Sequence, residues 1–398
     1  MGKVLKLNLS TQEISEYSWS DNDRRLYLGG KIMAYKIITD IVSNESDKSN
    51  LDNIIVISTG PLSLTKVPAS NRFNISSISP HTNCLVSSDC GGNFGMRLKN
   101  AGLDALIITG VAKVPTWVEI SEGIIKFHEA FDLWGDTTKI TISKLSRYAP
   151  KSGKLVIGPA GENLVSYAEV FSQDRFTGRS GIGAIFGAKK LKAIVANGSK
   201  VPKVIREDEI NWFNGLKDNH YLNNDKLLKN AGCITCPASC DRILDYKGNI
   251  IKAKQLDKLK LLGNYVNINN LDSLIIWKNI ADDMGLDTIS LVDVLINRKE
   301  LSKTNSVENI SRLIKEISMK ANNKEIFNPK IQKKEKPAKY LKESCMAIGI
   351  CSLILQVQLK DKLIEVLNSV TGLNLTKEEF ILIGERGYNL EKKFNERR

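Results

Sequence analysis

Residues 233 to 240 read Cys-Ile-Thr-Cys-Pro-Ala-Ser-Cys, which gathers three of the seven cysteines of the chain into one short loop. Spacings of two and three residues let the thiolates of Cys233, Cys236 and Cys240 converge on one metal centre. With a fourth thiolate such a set completes an iron–sulfur cubane, whereas structural zinc usually has two separated Cys pairs or a Cys pair with a His pair. No second pair follows, and His81, His128 and His220 stand in no ligand spacing, so zinc ranks second. The bland alternative is a group of buried thiols that only fill a core. A fourth ligand has to come from Cys345 or Cys351 downstream, or from Cys84 or Cys90 upstream.

A second kind of chemistry is written in glycine. Turns at Gly60-Pro61, Cys90-Gly91-Gly92-Asn93-Phe94-Gly95, Gly158-Pro159-Ala160-Gly161-Glu162-Asn163 and Gly178-Arg179-Ser180-Gly181-Ile182-Gly183 are denser than strand pairing requires. Backbone amides without a Cβ beside them can approach a phosphate closely, and Arg72, Arg175 and Arg179 lie next to these turns as anion partners. The competing reading is tight turns in a β domain. The last turn only superficially matches a dinucleotide fingerprint. It lacks a βαβ context and the acidic residue that would bind a ribose, so a Rossmann assignment is rejected. Farther on, Asp282-Asp283-Met284-Gly285-Leu286-Asp287 reads by itself as an ordinary helix end.

The elements that must position these residues fall into two styles. Up to about residue 204 the pattern is mostly strand: Lys3 to Leu9 and Arg72 to Ser79 alternate, Asn53 to Ser58 is a buried apolar run, and Ser121-Glu122-Gly123 joins two strands as a hairpin. Helices are predicted to interrupt at Asn22 to Val42, Gly95 to Ala101 and Thr137 to Arg147. From about residue 205 the pattern is helical: Asp208 to Lys217, Leu222 to Asn230, Leu271 to Met284, Thr288 to Leu301, Val307 to Ala321, Tyr340 to Leu355, Lys362 to Val370 and Lys377 to Phe394. The fold class expected is α+β, a β-rich N-terminal domain followed by mostly α-helical domains. The predicted boundaries are 1–204, 205–322 with the cysteine loop, a basic linker at 323–339, and 340–398.

Composition narrows the classes. A chain of 398 residues, 42% hydrophobic with mean hydropathy -0.18, is long enough for two or three domains, and it has no apolar run approaching the ~18 residues of a membrane span. Without a secretory signal, and with an odd number of cysteines, a reducing cytoplasm is expected and a disulfide framework is not. The net charge of +13 attracts anions. Its basic residues are nevertheless interspersed with acidic ones except at Lys330 to Lys339, which reads as a solvated linker and not as a nucleic-acid tail.

Taken in order, these stretches resemble the tungsten-containing aldehyde:ferredoxin oxidoreductase family. The likeness runs through Gly60-Pro61-Leu62, Ser70-Asn71-Arg72-Phe73-Asn74, Cys90 to Gly95, Leu133-Trp134-Gly135, Ile157 to Leu164, Gly178 to Ala184 and Lys190-Leu191-Lys192-Ala193-Ile194. It continues through the cysteine loop, Asp282 to Asp287, Ile348-Gly349-Ile350-Cys351 and the tail from Ile383 to Asn395. The resemblance implies a [4Fe-4S] cluster on Cys233, Cys236, Cys240 and Cys351, next to tungsten (or molybdenum) on a bis-pyranopterin. It implies that the β domain is a saddle under that cofactor, with Gly91, Gly92, Gly95 and Gly178 against it and Arg72 and Arg175 near its phosphates. It further implies a Mg ion between the phosphates, held by the backbone carbonyls of Asp89 and Phe176, and pterin contacts at Asp282, Gly285, Leu286 and Asp287.

The activity so implied is oxidation of a small aldehyde to its carboxylic acid, with electrons leaving through the cluster to ferredoxin or a similar carrier. Neither membrane nor nucleic acid is an expected partner; a homo-oligomer or a partner subunit is compatible. Departures from the family pattern point to a second reading. Between Asp287 and Cys351 the family has a far longer segment that supplies a catalytic histidine and contacts to the second pterin, and this chain has neither. Met346 stands where the second pterin motif has an aspartate, and upstream of Gly263 the only acidic residue is Asp257, a weak catalytic candidate. A non-catalytic iron–sulfur electron-transfer or assembly relative is therefore the alternative.

Overall fold

The computed structural model describes residues 2–44, 54–79, 82–172, 175–177, 180–206, 228–231, 241–297, 301, 306–320, 336–351 and 362–396. Its first sheet uses β1 (Lys3–Asn8), β2 (Ile14–Glu16), β3 (Ile55–Thr59), β4 (Phe73–Ile78), β5 (Leu85–Cys90) and β6 (Leu103–Thr109), in the order β2-β1-β6-β3-β4-β5. The second uses β7 (Thr116–Ser121), β8 (Ile124–Glu129), β9 (Gly153–Ile157), β10 (Val170–Ser172), β11 (Arg175–Phe176) and β12 (Leu191–Asn197), in the order β11-β10-β9-β12-β7-β8. Only β1–β6 and β7–β12 pair in parallel; every other neighbour is antiparallel.

Period-two alternation explains why both sheets are buried on two faces. Leu5, Leu7, Ile55, Ile57, Leu106 and Ile108 meet Val118, Ile120, Leu155, Ile157 and Ile194 of the second sheet in one core. The residues between them, Val4, Val56, Ala105 and Ile107, point the other way. There they pack on Met33, Ala34, Ile37 and Ile38 of a helix, with Phe394 from the far end of the chain. Trp117, Val156, Ala193 and Val195 likewise turn outward to Leu145 of a helix on the second sheet.

Short helices connect these strands: α1 (Asp21–Tyr27), α2 (Gly30–Asn44), α3 (Phe94–Asn100), α4 (Thr138–Tyr148), α5 (Pro159–Glu162) and α6 (Ile182–Ala188). A capping box starts α1, with Ser20 Oγ accepting from Asp23 N and Asp23 Oδ2 accepting from Ser20 N, each at 3.1 Å. The single helix expected over Asn22 to Val42 is broken at Leu28 and Gly29. The physical reason is a close approach. The Gly29–Gly30 backbone lies on residues 346–347, and a Cβ on Gly29 would come within 2.6 Å of the Thr59 carbonyl oxygen.

Beyond residue 206 the described elements are β13 (Leu228–Ala231), β14 (Asp241–Tyr246) and β15 (Asn249–Lys252), then α7 (Ala253–Val266), α8 (Leu271–Met284), α9 (Thr288–Asn297), α10 (Val307–Met319), α11 (Lys336–Ile348), α12 (Leu363–Thr371) and α13 (Lys377–Glu396). The three strands form a small antiparallel sheet that the helical pattern did not announce, and β13 replaces the end of the helix expected over Leu222 to Asn230. The helix over Leu271 to Met284 appears with the expected bounds, because Asn270 Oδ1 caps its start and left-handed Gly285 stops it. Helix α11 begins at Lys336, inside the basic run. The β-rich first part and mostly helical remainder agree with the α+β class. No helix among the described residues is long and apolar enough to cross a membrane.

Two predictions follow from this packing. A Cβ on Gly60 would lie inside the van der Waals envelope of Ile348 and Gly349. Gly60→Ala should therefore lower stability by about 3 kcal/mol, with hydrogen-exchange protection falling more over 344–350 than over α8. Equal protection in the two segments would remove Gly60 from that interface.

The second concerns Lys189, which is 1% exposed and donates from Nζ to Gly110 O at 2.8 Å. Burial brings its pKa down to about 7. Between that value and the unfolded one near 10.4 the unfolded chain holds the proton that the native state has shed, so stability rises with pH. Urea unfolding at pH 7 and 9 should show the wild type gaining about 2 kcal/mol more than Lys189→Met. Parallel gains would show that the ammonium stays charged when buried.

Candidate metal and cofactor site

The segment that carries Cys351 is held in place mainly by backbone. After α11, Gly349 turns the chain at φ 77°, and its carbonyl accepts from Arg72 N at 3.1 Å. Ile348 O accepts from Leu62 N at 3.3 Å, and Cys351 N donates to Ala69 O at 3.0 Å. Close contact of the Gly60 and Gly349 backbones makes this spacing possible. Cys351 is half-buried, and Arg72 Nη1 stands 3.9 Å from its Sγ. The other end of the same guanidinium, Nη2, donates to Asp89 O at 2.9 Å.

Asp89 is fixed in turn by Asn74 Nδ2, which donates to Asp89 Oδ1 at 2.8 Å and to Ser87 Oγ at 2.7 Å. Burial raises the Asp89 pKa, while Arg72 and Asn74 pull against it. The remaining cysteines among the described residues are differently placed. Cys345 lies in an apolar cluster with Leu62, Val67 and Ile348, and burial, with Cys351 nearby, pushes its thiol up to about 12. Cys90 is buried with Sγ donating to Gly91 O at 3.3 Å. Cys84 is half-buried, before β5. Only Cys351 is thus offered beside a fixed cation.

Just past Cys90, Gly91 and Gly92 form the turn into α3, Gly92 at φ 97°. Gly95 sits in α3, where a Cβ would stand 3.0 Å from Phe73 Cβ. Arg175 and Phe176 form β11, in register with Ser172 and Phe171. Cys233, Cys236, Cys240, Gly178 and Arg179 lie outside the described residues, as do His81 and His220. Among the described residues no three His, Cys, Asp or Glu side chains gather as a metal site.

A second group forms where the Asp282–Asp287 hexapeptide docks on the N-terminal domain. Gly158 and Gly285 meet backbone to backbone; a Cβ on Gly158 would stand 2.5 Å from Met284 O. Glu169 N donates to Gly285 O at 2.9 Å, Leu286 bridges to Ala168, and Asp287 N donates to Tyr167 O at 3.1 Å. Gly183 N donates to Ala168 O at 3.1 Å, so the first turn of α6 reaches the same stretch. The aspartate motif is therefore held by Gly158 on one side and by residues 167–169, themselves bonded to α6, on the other.

The aspartates of this group have protein partners. Asp282 pairs with Lys278 at 3.0 Å, and burial raises its pKa against that attraction. Thr138 Oγ1 anchors its carbonyl at 2.8 Å. Asp287 is 2% exposed and accepts at Oδ2 from Ser290 N at 2.8 Å and from Ser290 Oγ, which makes it the cap of α9. Asp257, the weak catalytic candidate, is exposed on α7, next to the Lys258–Asp293 pair.

One set of residues went unnoticed in the sequence. Lys31 is buried in α2 with Nζ 2.8 Å from Glu343 Oε2 and 3.1 Å from Glu391 Oε2, above the Tyr35 ring. Burial disfavours its charge, but Tyr35, Glu343 and Glu391 outweigh that and hold its pKa well above the ordinary lysine value. The triad ties α2 to α11 and α13, and hence the segment bearing Cys351 to the first sheet. The available signal was a lysine directly after Gly29-Gly30 and ahead of the apolar run Ile32-Met33-Ala34.

Residues 4–198 match the family described as aldehyde ferredoxin oxidoreductase, N-terminal domain, and residues 201–313 and 305–398 match its domains 2 and 3. Tungsten-containing aldehyde ferredoxin oxidoreductases of Thermococcus kodakarensis and Pyrococcus furiosus are each 29% identical, over 75% of this chain and 58% of their own length. The aliphatic sulfonate oxidoreductase WOR-like subunit of Pyrococcus furiosus is 24% identical over 74% of this chain and 58% of its own. This chain thus spans well under two thirds of these relatives. The active site complex BamBC of benzoyl coenzyme A reductase, solved with 1,5-dienoyl-CoA, superposes with a TM-score of 0.80 at 17% identity, covering 100% of this chain and 89% of that one. At that identity the likeness concerns the fold. Matched in its N-terminal domain and in domains 2 and 3 alike, the chain belongs to the aldehyde ferredoxin oxidoreductase family.

Proposed function

We propose that this protein is a redox protein built for a tungsten (or molybdenum) bis-pyranopterin beside a [4Fe-4S] cluster, and that it oxidises aldehydes to carboxylic acids. The observation that carries the reading is Arg72. One guanidinium lies between the sulfur of Cys351 and the carbonyl of Asp89, two groups that the family pattern gives to the cluster and to a phosphate-bound Mg ion. A fixed cation there lowers the energy of a thiolate on one side and of phosphate oxygens on the other. Cys233, Cys236 and Cys240 would complete the cluster ligands.

Cofactor contact is assigned mostly to backbone: the glycine turns at Gly91, Gly92, Gly95 and Gly178, the carbonyls of Asp89 and Phe176, and Gly285 and Leu286. Arg175 joins Arg72 as a phosphate partner. Of the two aspartates, Asp282 keeps a partly exposed carboxylate, 19% by side chain, for a pterin nitrogen. Asp287 serves by capping α9 and fixing the backbone of the motif. When bound, the metal–pterin group accepts the two electrons released as an aldehyde and water become a carboxylic acid and two protons. Ferredoxin or a similar carrier would take them onward, in the cytoplasm.

A second reading, a non-catalytic iron–sulfur electron-transfer or assembly relative, has its own support. Between Asp287 and Cys351 the described residues supply only α9, α10 and α11 after the motif itself, together with Leu301, Ser306, Lys320, Gly349 and Ile350. The one histidine among the described residues, His128, stacks on Trp117 at 4.1 Å and bonds to Glu119 at 2.9 Å on the β7–β8 hairpin.

Metal analysis of protein purified without oxygen separates the readings. Iron at about four per chain with tungsten or molybdenum is expected for the enzyme; iron alone selects the second reading, and zinc alone defeats both. Cys351→Ser should cut iron content and the visible absorption of the cluster, while Cys345→Ser should leave both near wild type. The reverse pattern would move the fourth ligand to Cys345.

A further inference from the structure

A cavity of about 530 Å³ opens between the start of β1, the stretch after β12, and the end of α12. Four lysines line it: Lys3, Lys99, Lys200 and Lys203. Val201, Pro202 and Ile205 form part of its wall, with Pro61 and Val370. Such a volume is in the range of small-molecule sites.

The charge in its wall is not balanced. Behind it, the Asp104 carboxylate is shared by Lys99 and by Arg24, whose Nη1 is 3.0 Å from Oδ2. Burial opposes the charge on Asp104, but the two cations outweigh it and hold its pKa below the usual carboxylate range. Lys3 has Glu16 at 2.7 Å. Among the described residues neither Lys200 nor Lys203 forms an ion pair. With Asp21 also 3.8 Å from Arg24 Nε, five cations thus face three carboxylates, and a concave low-dielectric wall focuses that excess.

Lys200 is also positioned. Its backbone N donates to Asn100 O at 2.9 Å and its carbonyl accepts from Asn100 Nδ2 at 2.7 Å. Its side chain folds over Gly102, so that a Cβ on that glycine would stand 2.8 Å from Nζ. Beside these charges the mouth leaves apolar surface in water: Val201 is 75% exposed and Ile205 54%. Positive charge and uncovered hydrocarbon side by side in one wall select an amphipathic anion over a bare inorganic one.

We infer that this cavity is a binding site for a single-headed organic anion, a carboxylate or phosphate on an apolar body, with Lys200 and Lys203 holding the head and Val201 and Ile205 the body. The inference does not rest on the proposed redox function. It is tested by calorimetric titration of the purified full chain at low salt with octyl phosphate, octanoate and inorganic phosphate.

Saturable binding of octyl phosphate or octanoate at one per chain is expected, tighter than inorganic phosphate; whichever of the two binds more tightly identifies the head. Lys200→Glu with Lys203→Glu should weaken it about tenfold or more, since two attractions become repulsions. Val201→Ser with Ile205→Ser should weaken both alkyl ligands and leave inorganic phosphate unchanged. All four positions are exposed, and the thermal melts of the variants should overlay the wild type. No saturable heat from either alkyl anion overturns the inference, as does unchanged affinity in the lysine double variant. Inorganic phosphate binding as tightly as octyl phosphate overturns the apolar half.

Discussion

The backbone of residues 346–349 lies directly against the backbones of Gly29, Gly30 and Gly60, with no side chain between them. Almost every positional statement about Cys351 depends on that contact. Any Cβ at these glycines would push the C-terminal segment away and break the bonds from Leu62 N and Arg72 N to Ile348 O and Gly349 O. Those bonds set the distance from Arg72 to Cys351. The Lys31–Glu343–Glu391 triad closes the same interface from inside. Its net stabilising effect is small, because desolvating three charges costs about as much as their attraction returns. Its consequence is register: sliding α11 along α2 by one turn would strand a buried charge, at a cost of about 3–5 kcal/mol.

The second glycine contact, Gly158 on Gly285, works by the same rule and holds the hexapeptide of Asp282 to Asp287 against residues 167–169. Here the side chains do structural work first. Asp287 satisfies the open amides at the start of α9, and Asp282 is charge-paired within α8. Asp287, 2% exposed and capping α9, is the less accessible of the two carboxylates, so the two aspartates of one motif are not equivalent. That inequality is invisible in the motif and follows only from where α9 begins.

What the sequence disclosed and what it hid divide along a physical line. Strands buried on both faces announced themselves as alternation or as apolar runs, and α8 had both a capping asparagine and a terminal glycine. The β13–β14–β15 sheet was hidden because its strands are only four to six residues long and mix apolar pairs with charged residues, and its turn at Lys247-Gly248, with φ of 50° and 76°, is a weaker signal than Asn-Gly. The break between α1 and α2 stood in view at Gly29-Gly30, but its cause lies more than 300 residues away. The Lys31 triad was illegible for the same reason, since no local pattern names Glu343 or Glu391 as its partners. Cys351 was separable from Cys345 only through the family resemblance; in the fold Cys345 is buried in an apolar cluster and Cys351 is half-buried beside the Arg72 guanidinium.

Under the proposed function, cofactor holding and substrate chemistry make different demands on the chain. Holding a large anionic cofactor falls mainly to main-chain amides, carbonyls and glycine approaches, together with one or two arginines, and these survive as long as the sheets and their glycine contacts do. Handling a substrate proton needs a particular acid or base at a particular point, and under the proposed function the resemblance would assign it to a segment between Asp287 and Cys351. The two requirements therefore sit on different parts of the chain. Docking of α11 does not depend on that segment, because α11 is held by the Gly29, Gly30 and Gly60 contacts and by Lys31, all of them in the N-terminal domain.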